Sequence, residues 1–162
     1  MTSDTIQIQV FSETSELLLV RALFTEYADS LNIDLCFQNF DAELDALPGD
    51  YAPPRGTLVL ARSGSELVGC CAMRPLDTAD YTNACEMKRL YVRPALRGSG
   101  VGRRLAEAVM EAAQQAGYAT MLLDTLSEME TARAMYQDLG FTEVPPYYYN
   151  PIEGAHYLMA RL

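Results

Sequence analysis

The stretch VRPALRGSGVGRRL, Val92 to Leu105, sets glycines at 98, 100 and 102 between a proline and a pair of arginines. Upstream, ACEMKRLYV reads as a strand that must end at Pro94. Downstream, Val101, Leu105, Val109, Ala112 and Ala116 share one helical face, and Gly117 supplies a stop. A strand that turns through glycines into a helix presents successive main-chain N–H groups at the positive end of a helix dipole. Glycine lets that main chain approach an anionic oxygen closely and tolerates positive φ. From this segment alone, a glycine-rich helix entry with surface arginines fits as well as an anion cradle.

The rest of the chain surrounds this unit with alternating elements. TIQIQVF has the period of a strand, and Leu17, Val20, Phe24, Tyr27 and Leu31 repeat at helical spacing, with Glu13 and Glu16 near the helix start. Phe37, Phe40, Leu44 and Leu47 mark a second, short helix stopped by Pro48-Gly49. TLVLAR and ELVGCCAMRPL flank SGS as a hairpin. TMLLDT is a short apolar strand expected to be buried on both faces. METARAMYQDL is a helix closed by Gly140, FTEV begins a strand, PPYYYNPIEG is a loop and AHYLMARL a closing strand. The order β-α-α-β-β-β-α-β-α-β-β predicts one α/β domain over residues 1–162, with a mixed sheet.

Charge narrows the partners. Twelve basic residues against 22 acidic ones leave a formal charge of −10, which argues against broad nucleic-acid or anionic-membrane binding. The distribution is uneven: ten acids and only Arg21 fall within residues 1–54, whereas Lys88, Arg89, Arg93, Arg97, Arg103 and Arg104 form a basic island with no acid among them. No apolar run approaches the roughly 20 residues of a membrane helix. The N-terminus lacks the pattern of a signal peptide, so a cytoplasmic location is expected. Cys36, Cys70, Cys71 and Cys85 follow no metal-binding spacing, and with a single histidine no metal site is expected. Reduced, buried thiols are the expectation.

Three phosphate-binding signatures compete for the glycine loop. No lysine follows the glycines, which excludes a Walker loop. Arg103 stands where a dinucleotide fingerprint needs its third glycine, and about 85 residues precede the strand. Arg97-Gly98-Ser99-Gly100-Val101-Gly102 instead matches the R/Q-x-x-G-x-G/A pattern that holds the pyrophosphate of coenzyme A. With EMKRLYVRPALRGSGVG, the following helix and TMLLDT, and with ARAMYQDLGF downstream, nearly the whole chain resembles the GNAT N-acetyltransferase superfamily.

That resemblance implies a mostly antiparallel sheet flanked by helices, in which the strands at 85–92 and 120–125 run parallel and splay to admit acetyl-CoA. Cofactor contacts are implied for Leu90, Tyr91, Val92, Arg97, Gly98, Ser99, Gly100, Val101, Gly102 and Arg103, with a strand bulge turning an amide near Leu90–Val92 toward the thioester carbonyl. Glu86, the only acid between residues 81 and 106, would accept the amine proton directly or through water. Tyr136, the tyrosine of A-x-x-x-Y-x-x-L-G-F, would protonate the departing thiolate, a phenol near ~10 suiting a thiol near ~8.5. Met129 departs from the family, where an asparagine commonly contacts the pantetheine arm. Tyr27, Phe37 and Tyr148 are candidates for the acceptor wall, with core packing as the alternative for Tyr27 and Phe37. His156 reads as structural, and Cys85 should face away from Glu86. The implied reaction is direct acetyl transfer to the primary amine of a small, amino-acid-like metabolite. A protein lysine or N-terminal acceptor, or a non-catalytic acyl-CoA-binding module, are the alternatives, and a homodimer is plausible by family analogy.

Overall fold

Apolar alternation and glycine punctuation resolve into β1 (Ile6–Val10), α1 (Leu17–Leu31), α2 (Phe40–Ala46), β2 (Thr57–Ser63), β3 (Glu66–Thr78), β4 (Tyr81–Val92), α3 (Val101–Gln115), β5 (Thr120–Leu126), α4 (Glu130–Asp138), β6 (Thr142–Val144) and β7 (Ala155–Arg161). The computed structural model describes residues 5–12, 14–31, 39–78, 80–126, 129–150 and 152–162; Phe37 and Cys36 lie outside them. The element order is the one expected. Seven strands form one open sheet, ordered β1-β2-β3-β4-β5-β7-β6, and only β4 and β5 run parallel.

Each face of the sheet carries its own core. On one side α3 and α4 cover Val59, Cys71, Met73, Cys85, Met87, Met121 and Leu123. On the other, α1 and α2 cover Leu58, Leu60, Cys70, Ala72 and Tyr91 with Val20, Leu23, Phe24 and Phe40. The buried stripe of α3 is Val101, Leu105, Ala106, Val109 and Ala113, so it advances by four residues where the expected stripe stepped to Ala112 and Ala116. That phase is set by where the helix meets the sheet at Gly69. A Cβ there would stand 2.9 Å from the Tyr91 carbonyl and 3.1 Å from Leu105 Cδ1, so only glycine permits this approach.

β4 and β5 pair only through Ala84–Thr120, Cys85–Met121 and Glu86–Leu122, and then part. Just beyond, β4 bulges. Ala72 faces Lys88 but Cys70 faces Tyr91, so Arg89 and Leu90 together oppose Cys71, and Arg89 adopts a φ of 62°. The extra residue resets the side-chain alternation, and both Lys88 and Arg89 project to the α1/α2 side. Cys85 joins the α3/α4 core while Glu86 faces the other way, as strand geometry requires. Cys70, Cys71 and Cys85 are buried free thiols. Among the described residues, no helix is long and apolar enough to cross a membrane.

Candidate active site

The gap between the splayed strands opens into a cavity of about 750 Å³ that passes through the sheet. On the α3/α4 side its wall is Leu90, Val92, Gly98, Gly100, Gly102, Arg103, Met135 and Tyr136. On the α1/α2 side it is Tyr27, Lys88, Arg89, Asp124, Asn150 and Ile152.

The glycine loop meets the first of these openings. Gly98 (φ +84°) and Gly100 (φ +86°) are left-handed, and no atom stands within 4 Å of where either Cβ would be. Gly100 caps α3 without a side-chain hydrogen bond, and the Arg104 N–H is the amide that bonds back to the Gly100 carbonyl. The amides of Val101, Gly102 and Arg103 therefore belong to the open first turn of the helix, where N–H groups lack intrahelical acceptors. Arg97 donates from Nε to the Val92 carbonyl at 3.0 Å and lies 5.7 Å from the Tyr91 ring centroid, which plants its charge at the end of β4. Arg103 reaches Glu107 at 3.9 Å and Asp138 at 3.8 Å.

Other expected contacts are confined to main chain. The Val101 side chain enters the core. Tyr91 packs edge-on to Tyr27 and donates its hydroxyl to Glu26 at 2.7 Å. Ser99 bonds the Leu96 carbonyl through its hydroxyl and does not line the cavity. The basic island is also less basic in three dimensions: Arg89 pairs with Glu43, and Arg93 with Glu26 and Glu66, so acids of α1, α2 and β3 offset it.

The second opening is lined by a charged cluster at the point where the strands part. Glu86, 1 % exposed, accepts from the Tyr147 hydroxyl at 2.6 Å and from Arg74 Nε at 3.0 Å. Lys88 Nζ lies 4.0 Å from Glu86 and 3.7 Å from Asp124. Asp124 in turn accepts from the Tyr148 hydroxyl at 2.5 Å and Asn150 Nδ2 at 3.3 Å. Burial lowers the Lys88 ammonium below its ordinary range, against the opposing pull of Glu86 and Asp124. Burial, reinforced by the neighbouring carboxylates, raises the phenols of Tyr147 and Tyr148. Lys88 and Asp124 form the cavity wall, with Glu86 and Tyr148 behind it. Tyr27 lines the cavity, and burial raises its phenol to about 12.

Tyr136 borders the α3/α4 opening with its ring edge-on to Phe141 at 5.7 Å, and burial raises its phenol well above the ordinary value. Met129 also lines the cavity, and Thr125 Oγ1 donates to its sulfur at 3.6 Å. His156 sits outside, 2.9 Å from Glu143. The sequence did not single out Arg74, Lys88, Asp124 or Asn150; Tyr148, expected in the acceptor wall, bonds to Asp124 in that wall, and its neighbour Tyr147 bonds to Glu86. A signal was present: Arg74 and Asp124 are lone charges within the apolar runs CCAMRPL and TMLLDT, and a charge buried in a strand requires a partner.

The acetyltransferase (GNAT) family model matches residues 20–141. An uncharacterized N-acetyltransferase of Schizosaccharomyces pombe is 39% identical over 140 residues, covering 85% of this chain and 83% of the relative. One from Dictyostelium discoideum is 32% identical, covering 82% and 88%. Among solved structures, an acetyltransferase from Streptococcus agalactiae superposes with a TM-score of 0.77 at 19% identity, covering 97% of this chain and 98% of that one, which speaks to the fold. With the splayed parallel pair, the glycine loop and these relatives in agreement, the chain belongs to the GNAT family of acetyl-CoA-dependent N-acetyltransferases.

Proposed function

We propose that the chain acetylates the primary amine of a small, amino-acid-like molecule by direct transfer, with Glu86 taking up the amine proton and Tyr136 donating one to the leaving sulfur. The observation that carries this reading is a single cavity walled by residues from both faces of the sheet, with the glycine loop among one set and Lys88 and Asp124 among the other. The loop fits a diphosphate: open space lies beside two left-handed glycines, the first turn of α3 carries no side-chain cap, and Arg97 stands alongside. Acetyl-CoA supplies the thioester carbonyl and a thiol leaving group.

The rest is done by the chain's own groups. The amides around the Arg89 bulge provide hydrogen-bond donors where negative charge develops on the carbonyl oxygen. Asp124, in the cavity wall, meets the acceptor ammonium, and Glu86 draws the proton away through the Lys88–Asp124 contact or a water, since Glu86 itself is 1 % exposed. As the C–N bond forms and the C–S bond breaks, Tyr136 holds its proton until a stronger base than water appears beside it. Tyr27 in the wall, with the half-buried Tyr147–Tyr148 pair behind Lys88 and Asp124, favours a small molecule over a protein segment.

Calorimetric titration with acetyl-CoA, followed by a free-thiol release assay over a panel of small amines and lysine-bearing peptides, tests the proposal. Acceptor-dependent thiol release with small amines is the expected result. Release with peptides alone would overturn the small-molecule acceptor.

A further inference from the structure

The acceptor side of the cavity already holds as much positive charge as negative. Lys88 Nζ, in the cavity wall, lies 3.7 Å from Asp124 Oδ1 and 4.0 Å from Glu86 Oε1. Glu86 is held on its two oxygens by Arg74 and the Tyr147 hydroxyl, and Asp124 Oδ2 by the Tyr148 hydroxyl and Asn150 Nδ2. Every oxygen of these two acids therefore faces a donor or a cation, which is the arrangement of an ionised carboxylate. Beside them, Glu43 grips Arg89 through both of its oxygens. Glu86 and Asp124 against Lys88 and Arg74, with Glu43 against Arg89, make the cluster neutral.

Docking an acceptor ammonium at Asp124 upsets that balance. It sets a second cation against a carboxylate that Lys88 already faces, in a wall where Lys88 is 5% exposed and Glu86 1%. Like charges at such range disfavour each other's charged form, and burial magnifies the effect. Lys88 is the partner that gives way. Burial draws its ammonium below the ordinary range, and Arg89 and Arg74 press in the same sense against the pull of Glu86 and Asp124. The Tyr148 ring, with its centroid 5.9 Å from Nζ, carries no charge to oppose the loss of a proton.

Resting on the acceptor-amine reading above, we propose that Lys88 is a second proton acceptor of the reaction: an ammonium bound at Asp124 discharges Lys88, whose free amine then takes the acceptor's first proton. The steps balance. On binding, Lys88 Nζ gives one proton to solvent, and the complex is neutral again. The Nζ lone pair next takes a proton from the acceptor nitrogen, which becomes a neutral amine able to attack the thioester. Lys88 thereby returns to the ammonium that Glu86 and Asp124 hold. Glu86 keeps the role given above, taking the second proton as the C–N bond forms, while Tyr136 protonates the departing sulfur. Proton exchange with solvent restores Glu86 and Tyr136.

The test counts protons. Wild type saturated with coenzyme A is titrated calorimetrically near neutral pH with the panel amine of lowest KM, butylamine and phenethylamine among those tried. The heat difference between phosphate and Tris buffers gives the protons exchanged, and release of about one per amine bound is expected. In Lys88→Met the acceptor ammonium replaces the missing charge, so release should fall to near zero and KM should not rise. The kcat of this variant should drop at least about 10²-fold and then climb about tenfold per pH unit as the amine sheds its own proton, a slope that a merely weakened fold does not produce. No proton released by the wild type, release unchanged in Lys88→Met, or a variant kcat within about threefold of wild type overturns the proposal. The wild-type count decides the matter by itself should Lys88→Met not fold. Thiol release from no amine of the panel would instead overturn the acceptor-amine reading.

Discussion

Tyr147 donates its phenolic hydrogen to Glu86 Oε2 at 2.6 Å, while Arg74 holds the opposite oxygen at 3.0 Å. A carboxylate 1 % exposed is thereby satisfied from a loop and from the neighbouring strand at once. The loop between β6 and β7 is pinned to the centre of the sheet by the residue proposed to accept the acceptor's proton. Fold and chemistry thus meet in one side chain.

Glu86→Gln keeps the shape and an oxygen for Arg74 but removes the base. The kcat for thiol release is expected to fall about 10²–10⁴-fold, with acetyl-CoA affinity unchanged by calorimetry. A retained kcat would move proton acceptance to Asp124, the carboxylate that lines the cavity.

Tyr147→Phe removes a hydrogen bond to a charged, buried acceptor and leaves the ring packed against Tyr148 and Tyr157. Such bonds contribute about 1.5–3 kcal/mol, so denaturant unfolding should report a loss of that order. A change below about 0.5 kcal/mol would mean that Arg74 alone satisfies Glu86.

Tyr136→Phe is expected to lower kcat about 10²–10⁴-fold with little change in acetyl-CoA affinity. Because burial raises this phenol well above its ordinary value, it stays protonated through the neutral and mildly alkaline range. The wild-type kcat profile should therefore show no descending limb from Tyr136 below about pH 10. Equal turnover in Tyr136→Phe assigns the proton donor elsewhere.

Much of this was legible in the sequence, for identifiable reasons. The glycine triplet sits at a strand-to-helix junction, and helical or two-residue periodicity dictates each element around it. What escaped depended on register. Arg74 lies opposite Glu86 only because of how β3 slides along β4, and Lys88 and Arg89 share a face only because a bulge breaks the alternation. The Arg89–Glu43 pair joins residues 46 apart in sequence, and no local pattern encodes such a contact. Of the three adjacent tyrosines, which one meets Glu86 was set by the path of a proline-bearing loop, where periodicity is silent. Asp124 and Arg74 were detectable in kind, as charges stranded in apolar runs, but not in partner.

Gly100→Val tests the anion cradle. A β-branched residue at φ +86° is strained by about 1–3 kcal/mol, and its side chain would project into the open space beside the loop. Loss of measurable acetyl-CoA binding is expected alongside a lowered Tm. Gly117→Val is the control, because Gly117 (φ +90°) is equally left-handed with equally open surroundings but does not line the cavity. It should lose comparable stability and keep its acetyl-CoA affinity. Parallel loss of affinity in both variants would attribute the Gly100 effect to strain alone.

The buried phenols give the fold an alkaline limit. Burial raises Tyr27 to about 12 and lifts Tyr136, Tyr147 and Tyr148 further above the 10.0 of an exposed tyrosine; the Cys85 thiol rises to about 12 in the same sense. In the unfolded chain these groups lose their protons near their ordinary values, whereas the folded chain retains them. Above about pH 10 the native state therefore binds more protons than the unfolded one, and stability must fall as pH rises. Lys88, lowered by burial, works in the opposite sense, but with a single proton. Each proton retained only in the native state steepens the decline by about 1.4 kcal/mol per pH unit. Thermal unfolding from pH 8 to 11 should show Tm nearly flat at first and then dropping steeply, while the tyrosinate absorbance of these four phenols, separate from that of the exposed Tyr149, appears only as the chain unfolds. Tyrosinate assigned to Tyr27, Tyr136, Tyr147 or Tyr148, as absorbance lost in the matching Tyr→Phe variant, forming below about pH 10.5 in a chain that keeps its Tm would mean that these phenols are solvated and the charged cluster is open to water.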